Sequence, residues 1–291
     1  MLQGIIDLWF VFVILSVVFT TYDIRNTPVS WVQKLGWILV VIYTGPFGLF
    51  YYLLTCRSPG KNWHALYTQA NWKQAVNSEV HCVAGDATGI IVAAIILSFS
   101  TIPMGIELVI EYVASFISGW FIFQAGMMIS MYKSYRESLF KTFFPETVSM
   151  NLVMVGMIPT MYILMHYIPN SGEPSSSHFW FVMAMATLAG AIIAYPINFW
   201  LVRNKLKHGC MTLPEKDNAN ALTNMETSNQ KHEEMDGHDV MSSQHEMHFL
   251  SFKKQAIIIV TTFAILAVAI LITLYFLPMG SETMSSMPMG K

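Results

Sequence analysis

The feature that most constrains this chain is a series of apolar runs near twenty residues long, separated by shorter polar stretches. A helix crossing the ~30 Å hydrocarbon core needs about 20 mostly apolar residues. Only helices and closed barrels satisfy their backbone hydrogen bonds there. The runs cover residues 2–22, 31–54, 80–99, 104–132, 147–167, 178–202 and 255–277. They predict an all-α fold, a polytopic helical membrane bundle of about seven transmembrane helices. The first run has no basic segment ahead of it and no small-residue cleavage site before Asp23, so it reads as a retained helix. Gly45-Pro46 inside the second run predicts a kink, with the freed carbonyl satisfied by neighbouring helices.

Composition supports the same reading. Of 291 residues, 54% are hydrophobic and 12% charged; soluble domains carry about 25% charged residues. A net charge of −2 argues against a nucleic-acid partner, which would want a basic face. The expected organisation is a six-helix membrane domain over 1–203, with an interfacial segment at 55–79 where Trp63, His64, Trp72 and Lys73 suit headgroup depth. A polar, disordered loop follows over 204–252, then a seventh helix over 253–277 and a Met-rich tail over 278–291. With seven crossings, thirteen Lys and Arg fall on one side and only Arg25, Lys34 and Lys291 on the other. The excess of basic residues marks the cytoplasmic side. This puts the N-terminus and the long loop in the cytoplasm and the C-terminus outside.

Several motifs occur in order: Tyr43-Thr-Gly-Pro-Phe-Gly-Leu-Phe50, His81-Cys-Val-Ala-Gly-Asp-Ala-Thr-Gly89, Glu111-Tyr-Val-Ala, Ile122-Phe-Gln124, Ser149-Met-Asn151 with Gly156-Met-Ile-Pro159, and Ala194-Tyr-Pro-Ile-Asn198 leading to Lys207-His-Gly209. Together they resemble a bacterial integral-membrane family catalogued as a domain of unknown function, over roughly residues 1–211. The resemblance implies a multi-pass protein of the bacterial inner membrane and carries no activity. The chain departs from the pattern at Cys210-Met211, where Met is expected directly after Lys-His-Gly.

Methionine is the compositional outlier, with 21 residues. It is an adaptable core filler and also a soft thioether donor. Met150, Met154, Met157, Met161 and Met165 repeat at helical spacing and share one face of the fifth run, with Asn151 at its inner end and His166 at its outer end. Gln124, Met127, Met128 and Met131 come from the fourth run, and Met183 and Met185 from the sixth. That face suits plain packing, or a ladder of weak Cu(I) sites. His81-Cys82 with Asp86 one turn on offers a soft ligand pair and a carboxylate, or a packed helix start. Gly85 and Gly89 would let another helix approach that face. His208, Cys210 and Met211 form a second cytoplasmic donor run, or a helix end capped by Gly209. His232, Met235, His238, Met241, His245 and His248, with Met247, give the long loop the composition of a metal-capture tract. Met279, Met284, Met287 and Met289 repeat the theme in the tail. Glu107 and Glu111, four residues apart, are candidates for proton coupling, together with Asp86.

The leading expectation is a protein handling a soft metal, with copper as its ion, acting as a Cu(I) transporter or membrane chaperone. One alternative is a proton-coupled carrier of a small organic solute, built on Asp86, Glu107, Glu111, Gln124, Asn151 and Asn198. Another is an assembly subunit of a membrane metalloenzyme. The expected partners are the lipid bilayer, a metal ion, and a second copy or another membrane protein. No nucleotide-binding, hydrolase or redox motif is present, so no enzymatic role is expected.

Overall fold

The computed structural model describes residues 2–57, 64–100, 102–128, 134–209 and 250–276. The described residues are helical, with α1 (Leu2–Asp23), α2 (Trp31–Thr44), α3 (Pro46–Thr55), α4 (His64–Thr68) and α5 (Asn71–Leu97) in the first half. Then α6 (Met104–Ile117) passes through a π-helical segment (Ser118–Gln124) into α7 (Ala125–Met128). The rest is α8 (Tyr135–Tyr167), α9 (Ser177–Arg203) and α10 (Phe252–Phe276). Six of the helices are long and apolar enough to cross a membrane. α1 and α10 have only 17% of their most apolar window buried, against 78% for α5 and 67% for α8. Leu8, Ile14, Leu15 and Val18 on α1, and Val260, Val268 and Leu271 on α10, stand exposed. Such continuous apolar surface calls for lipid, and the chain is a polytopic helical membrane protein.

The second apolar run does not cross. In a straight helix Trp37 and Tyr52 would lie about 22 Å apart; here their rings meet at 5.6 Å. Gly45 has φ +56° and Pro46 opens α3, so the expected kink is a reversal, and α2 and α3 form a re-entrant hairpin. A β-carbon at Gly45 would lie 2.8 Å from Val13 on α1, so glycine is needed there for space as well as for φ. The hairpin is fastened to α5 by polar contacts. Gln33 Nε2 and Trp37 Nε1 donate to Asn77 Oδ1 at 3.1 and 3.2 Å. Asn77 Nδ2 donates to the Thr55 and Lys73 carbonyls at 3.0 and 2.9 Å. Non-helical backbone at membrane depth survives when protein surrounds it in this way.

The hairpin corrects the topology. Asp23 at the end of α1 pairs with Arg57 at 3.1 Å, while Gln3 at its start bonds Ser177 at the start of α9. α1 crosses, the hairpin enters and leaves at one end, and α5, α6–α7, α8, α9 and α10 cross in turn. Arg25 and Lys34 therefore join the basic end, and every Lys and Arg among the described residues lies there. The N-terminal end of α1 sits at the opposite end, not on the basic side as seven crossings require. Two helices also start earlier than the apolar runs imply: α5 at Asn71 rather than at 80, and α8 at Tyr135 rather than at 147. The polar turns preceding each run continue its helix. Of the interfacial segment, Trp63 lies outside the described residues, and His64 is buried with Nε2 2.9 Å from the Cys56 carbonyl. The Lys73 ammonium sits over the Tyr67 ring.

Close crossings hold the long helices. A methyl at Gly85 would collide with the backbone of Gly119, and one at Gly89 would lie 2.5 Å from the Ser115 α-carbon. Gly156 and Gly190 do the same for α8 and α9. Small residues at such crossings let backbones approach in lipid, where dispersion and interhelical bonds drive association.

Candidate functional site: a buried ionisable cluster

α5 presents Cys82 and Asp86, one turn apart, toward α8 and the π segment. α8 supplies Glu146. The fourth member arrives from beyond α9. That helix ends in a Schellman turn, with Lys205 N–H donating to the Val202 carbonyl at 3.0 Å and Leu206 N–H to the Leu201 carbonyl at 2.9 Å. Lys205 takes the left-handed position at φ +55°. Leu206 packs with Leu201, Phe144 and Val148. The reversal turns the next residue, Lys207, back into the bundle with its side chain fully buried.

There the Lys207 ammonium donates to Cys82 Sγ at 2.7 Å and to Asn198 Oδ1 at 3.1 Å, and lies 3.6 Å from Glu146 Oε2. The Cys82 thiol donates to the same Glu146 oxygen at 2.9 Å. Ser149 Oγ donates to Asn198 Oδ1 at 2.9 Å. Asp86 Oδ1 and Glu146 Oε1 both border one point over the Gly119 α-carbon: a methyl there would collide with the first and lie 2.9 Å from the second. Both Asp86 carboxylate oxygens and Glu146 Oε1 accept no hydrogen bond from the described protein. The π segment brings Gly119 against them, and a π turn at a functional site is a recurrent arrangement. Burial works to lower the Lys207 pKa, but Cys82, Glu146 and Asp86 outweigh it and hold the ammonium above its ordinary range.

The chemistry follows from the count. One fixed ammonium faces two carboxylates and a thiol in a site without exposed surface. It can neutralise one carboxylate; the second must share a proton or take a cation, because like charges in a buried site cannot both stand. The Cys82 thiol bridges donor and acceptor, so a proton can be redistributed between sulfur and carboxyl without any large movement.

Toward the opposite end, Glu107 and Glu111 on α6 are 2% and 3% exposed. Glu111 lines a void of about 10 Å³ with Met154, Met157 and Met161, near the least space that holds one water. Between the two acidic groups, Ser115 Oγ donates to the Asp86 carbonyl at 3.1 Å. The Tyr112 hydroxyl donates to Asn151 Oδ1 at 2.8 Å, and Asn151 Nδ2 to Thr262 Oγ1 at 3.0 Å.

The structure separates the expected metal donors. His81 and Cys82 are neighbours on a helix and point to different partners. His81 Nε2 lies 2.7 Å from Gln33 Oε1. Gln33 spends its amide nitrogen on Asn77, so His81 donates from Nε2 and ties α5 to the hairpin. Lys207, rather than His208, enters beside Cys82. Gly209 is not the helix cap; it is needed because a side chain there would collide with the Gln74 carbonyl. His166 is exposed, set edge-to-face with Tyr167 and off the methionine face. Met150, Met154, Met157, Met161 and Met165 do share one face, each at most 3% exposed. Gln124, Met128 and Met183 are buried as well. Among the described residues no group of three His, Cys, Asp or Glu is arranged to hold a metal ion. Cys210, Met211, Met131, the Met127 side chain, His232, Met235, His238, Met241, His245, Met247, His248 and the tail methionines lie outside the described residues.

Sequence reasoning missed Glu146 and the role of Lys207. Glu146 precedes the apolar run that served to locate its helix. The 33 residues of α8 carry it well inside. The Schellman turn that redirects Lys207 has lysine, not glycine, at its left-handed position, so its usual signal is missing.

A membrane bundle with a charged, fully buried cluster is the class defined by fold and site. Residues 71–207 match the model of a family described as a domain of unknown function (DUF4396). The match begins at the first residue of α5, ends at Lys207 and takes in the whole cluster. It is narrower than the resemblance over 1–211, leaving out the residues 43–50 motif in the hairpin. No curated protein and no solved structure matches the chain.

Proposed function

We propose that the protein is a proton-coupled membrane carrier in which Asp86 and Glu146 share an exchangeable proton against the fixed charge of Lys207. The observation that carries this reading is the count within the cluster, two buried carboxylates, Asp86 and Glu146, to the one buried ammonium of Lys207. Stability alone gives little reason to keep such a group, since well-packed apolar residues serve as well or better. Ionisable residues inside membrane spans are functional candidates by default. Glu111 and Glu107 extend the acidic series toward the other end, with Tyr112 and Asn151 between.

The test uses everted vesicles from cells producing the chain, loaded with a ΔpH-sensitive dye. Cationic, anionic and neutral organic solutes are added in turn. At least one class should collapse the gradient, and Asp86→Asn or Glu146→Gln should abolish the response at equal protein level. A panel without any response, or a response that survives both variants, rejects the reading.

A second reading, Cu(I) passage, retains one observation: the buried methionine face and Glu111 border the same void. Met154→Leu, Met157→Leu and Met161→Leu nearly conserve volume. If all three together leave copper accumulation unchanged with normal protein levels, the methionines serve packing alone.

A further inference from the structure

A half-enclosed cleft of about 460 Å³ lies between the α2–α3 hairpin, α5 and α9. Its volume falls in the ~300–1,000 Å³ range of small-molecule sites. Five aromatic rings stand in its otherwise largely aliphatic walls: Trp37, Phe47, Tyr51, Trp72 and Tyr195. Trp37 is fully buried at the back, while Phe47, Tyr51 and Trp72 are 52%, 46% and 41% exposed at the rim. One carboxylate, Glu79, also lines it. Glu79 is 6% exposed, and its Oε1 has no hydrogen-bond partner among the described residues. Lys207, whose charge reaches Glu79, is engaged by Cys82, Asn198 and Glu146.

We infer that this cleft binds an organic cation with an apolar body, held by the Glu79 carboxylate and the surrounding rings; this deepens the carrier reading and rests on it for any link to transport. The chemistry is complementary on both counts. Aromatic faces attract a cation through the ring quadrupole, and the attraction grows when both are desolvated. A buried carboxylate supplies a counter-charge that offsets the hydration a cation gives up on leaving water. A lipid acyl chain would fill the apolar walls but leave methylenes against Glu79. An anion would face the carboxylate directly. The rim, made of exposed aromatics on membrane-embedded helices, suits a ligand that partitions into the bilayer before it binds. The charged and titratable groups facing Glu79 are Lys207 and Tyr195, with Tyr51 beside the latter. In the carrier, a cation seated there would be exchanged for the proton that Asp86 and Glu146 share.

The experiment uses the full chain in phosphatidylcholine nanodiscs with radiolabelled tetraphenylphosphonium as the probe. Saturable binding above empty nanodiscs is expected, weakened at least ~10-fold, the equivalent of about 1.4 kcal/mol, by Glu79→Gln. Glu79→Asp should retain most of the affinity and Trp37→Leu should lose part of it, with monodisperse elution confirming the fold of each. Equal affinity in Glu79→Gln, or no saturable binding, overturns the inference and leaves the cleft to lipid. Asp86→Asn separates the two proposals. It should keep tetraphenylphosphonium binding while abolishing gradient collapse in vesicles. Failure of the vesicle test with Glu79-dependent binding intact removes the coupling and leaves the site.

Discussion

Lys207, Cys82 and Glu146 form a bonded set, and loss of Lys207 would leave the buried Glu146 carboxylate without its counter-charge. Lys207→Met keeps the length of the side chain and removes its charge. It should cost about 3–5 kcal/mol, the range for breaking a buried pair from one side. Adding Glu146→Gln should recover a large part of the loss in thermal unfolding in detergent. Additive losses in the double variant would show that the two side chains do not act as a pair. The Cys82 thiol has no exposed surface. It should resist maleimide in the folded protein and react only after denaturation. At this scale the sequence was half legible. Asp86, Cys82, Glu107 and Glu111 are conspicuous because they are ionisable or reactive groups inside apolar runs. Glu146 and Lys207 sit on the polar side of the apparent helix ends, where charge is ordinary, and only the tertiary fold turns them inward.

The turns that place these residues have their own energetics. Lys205 occupies a left-handed position that glycine adopts without cost. Lys205→Gly should therefore stabilise the protein, by about 0.5–1 kcal/mol, since a β-carbon is unfavourable in that region. A loss of stability instead would mean that Lys205 makes a contact worth more than the backbone relief. Gly85→Ala would drive a methyl into the Gly119 backbone. It should cost about 1–3 kcal/mol, as overpacking does, and pry α5 from the π segment. Gradient collapse in vesicles should fall with it, because Asp86 and Glu146 meet over Gly119. The extents of α1, α9 and α10 could be read from apolar runs because lipid-facing helices are apolar all round. The hairpin could not, because Gly45-Pro46 permits either a kink or a reversal. The choice is made by Asn77 and Val13, far away in the chain.

For the whole molecule, folding the second run back changes the crossing number from seven to six among the described residues and moves the start of α1 to the end opposite the basic residues. In a cysteine-free background, single cysteines at Gln3 and Ser176 should be labelled by an impermeant maleimide from one face of the membrane, and one at Asn204 from the other. Labelling of Gln3 and Asn204 from the same face would restore seven crossings. The bundle class and the charge bias were legible from composition alone. The sidedness was not, because one uncounted reversal inverts the assignment of everything upstream of it, here Arg25, Lys34 and the N-terminus.

That reversal also imposes an order on biogenesis. Gln33, Trp37 and the Thr55 carbonyl find their partner in Asn77, which is synthesised later than all of them. Until α5 has left the ribosome and entered the bilayer, the hairpin has nothing to offset the burial of those groups. It must wait at the membrane surface or be sheltered by the insertion machinery. Nascent chains arrested before residue 71 should leave the 31–55 segment open to protease, and chains extended through α5 should protect it.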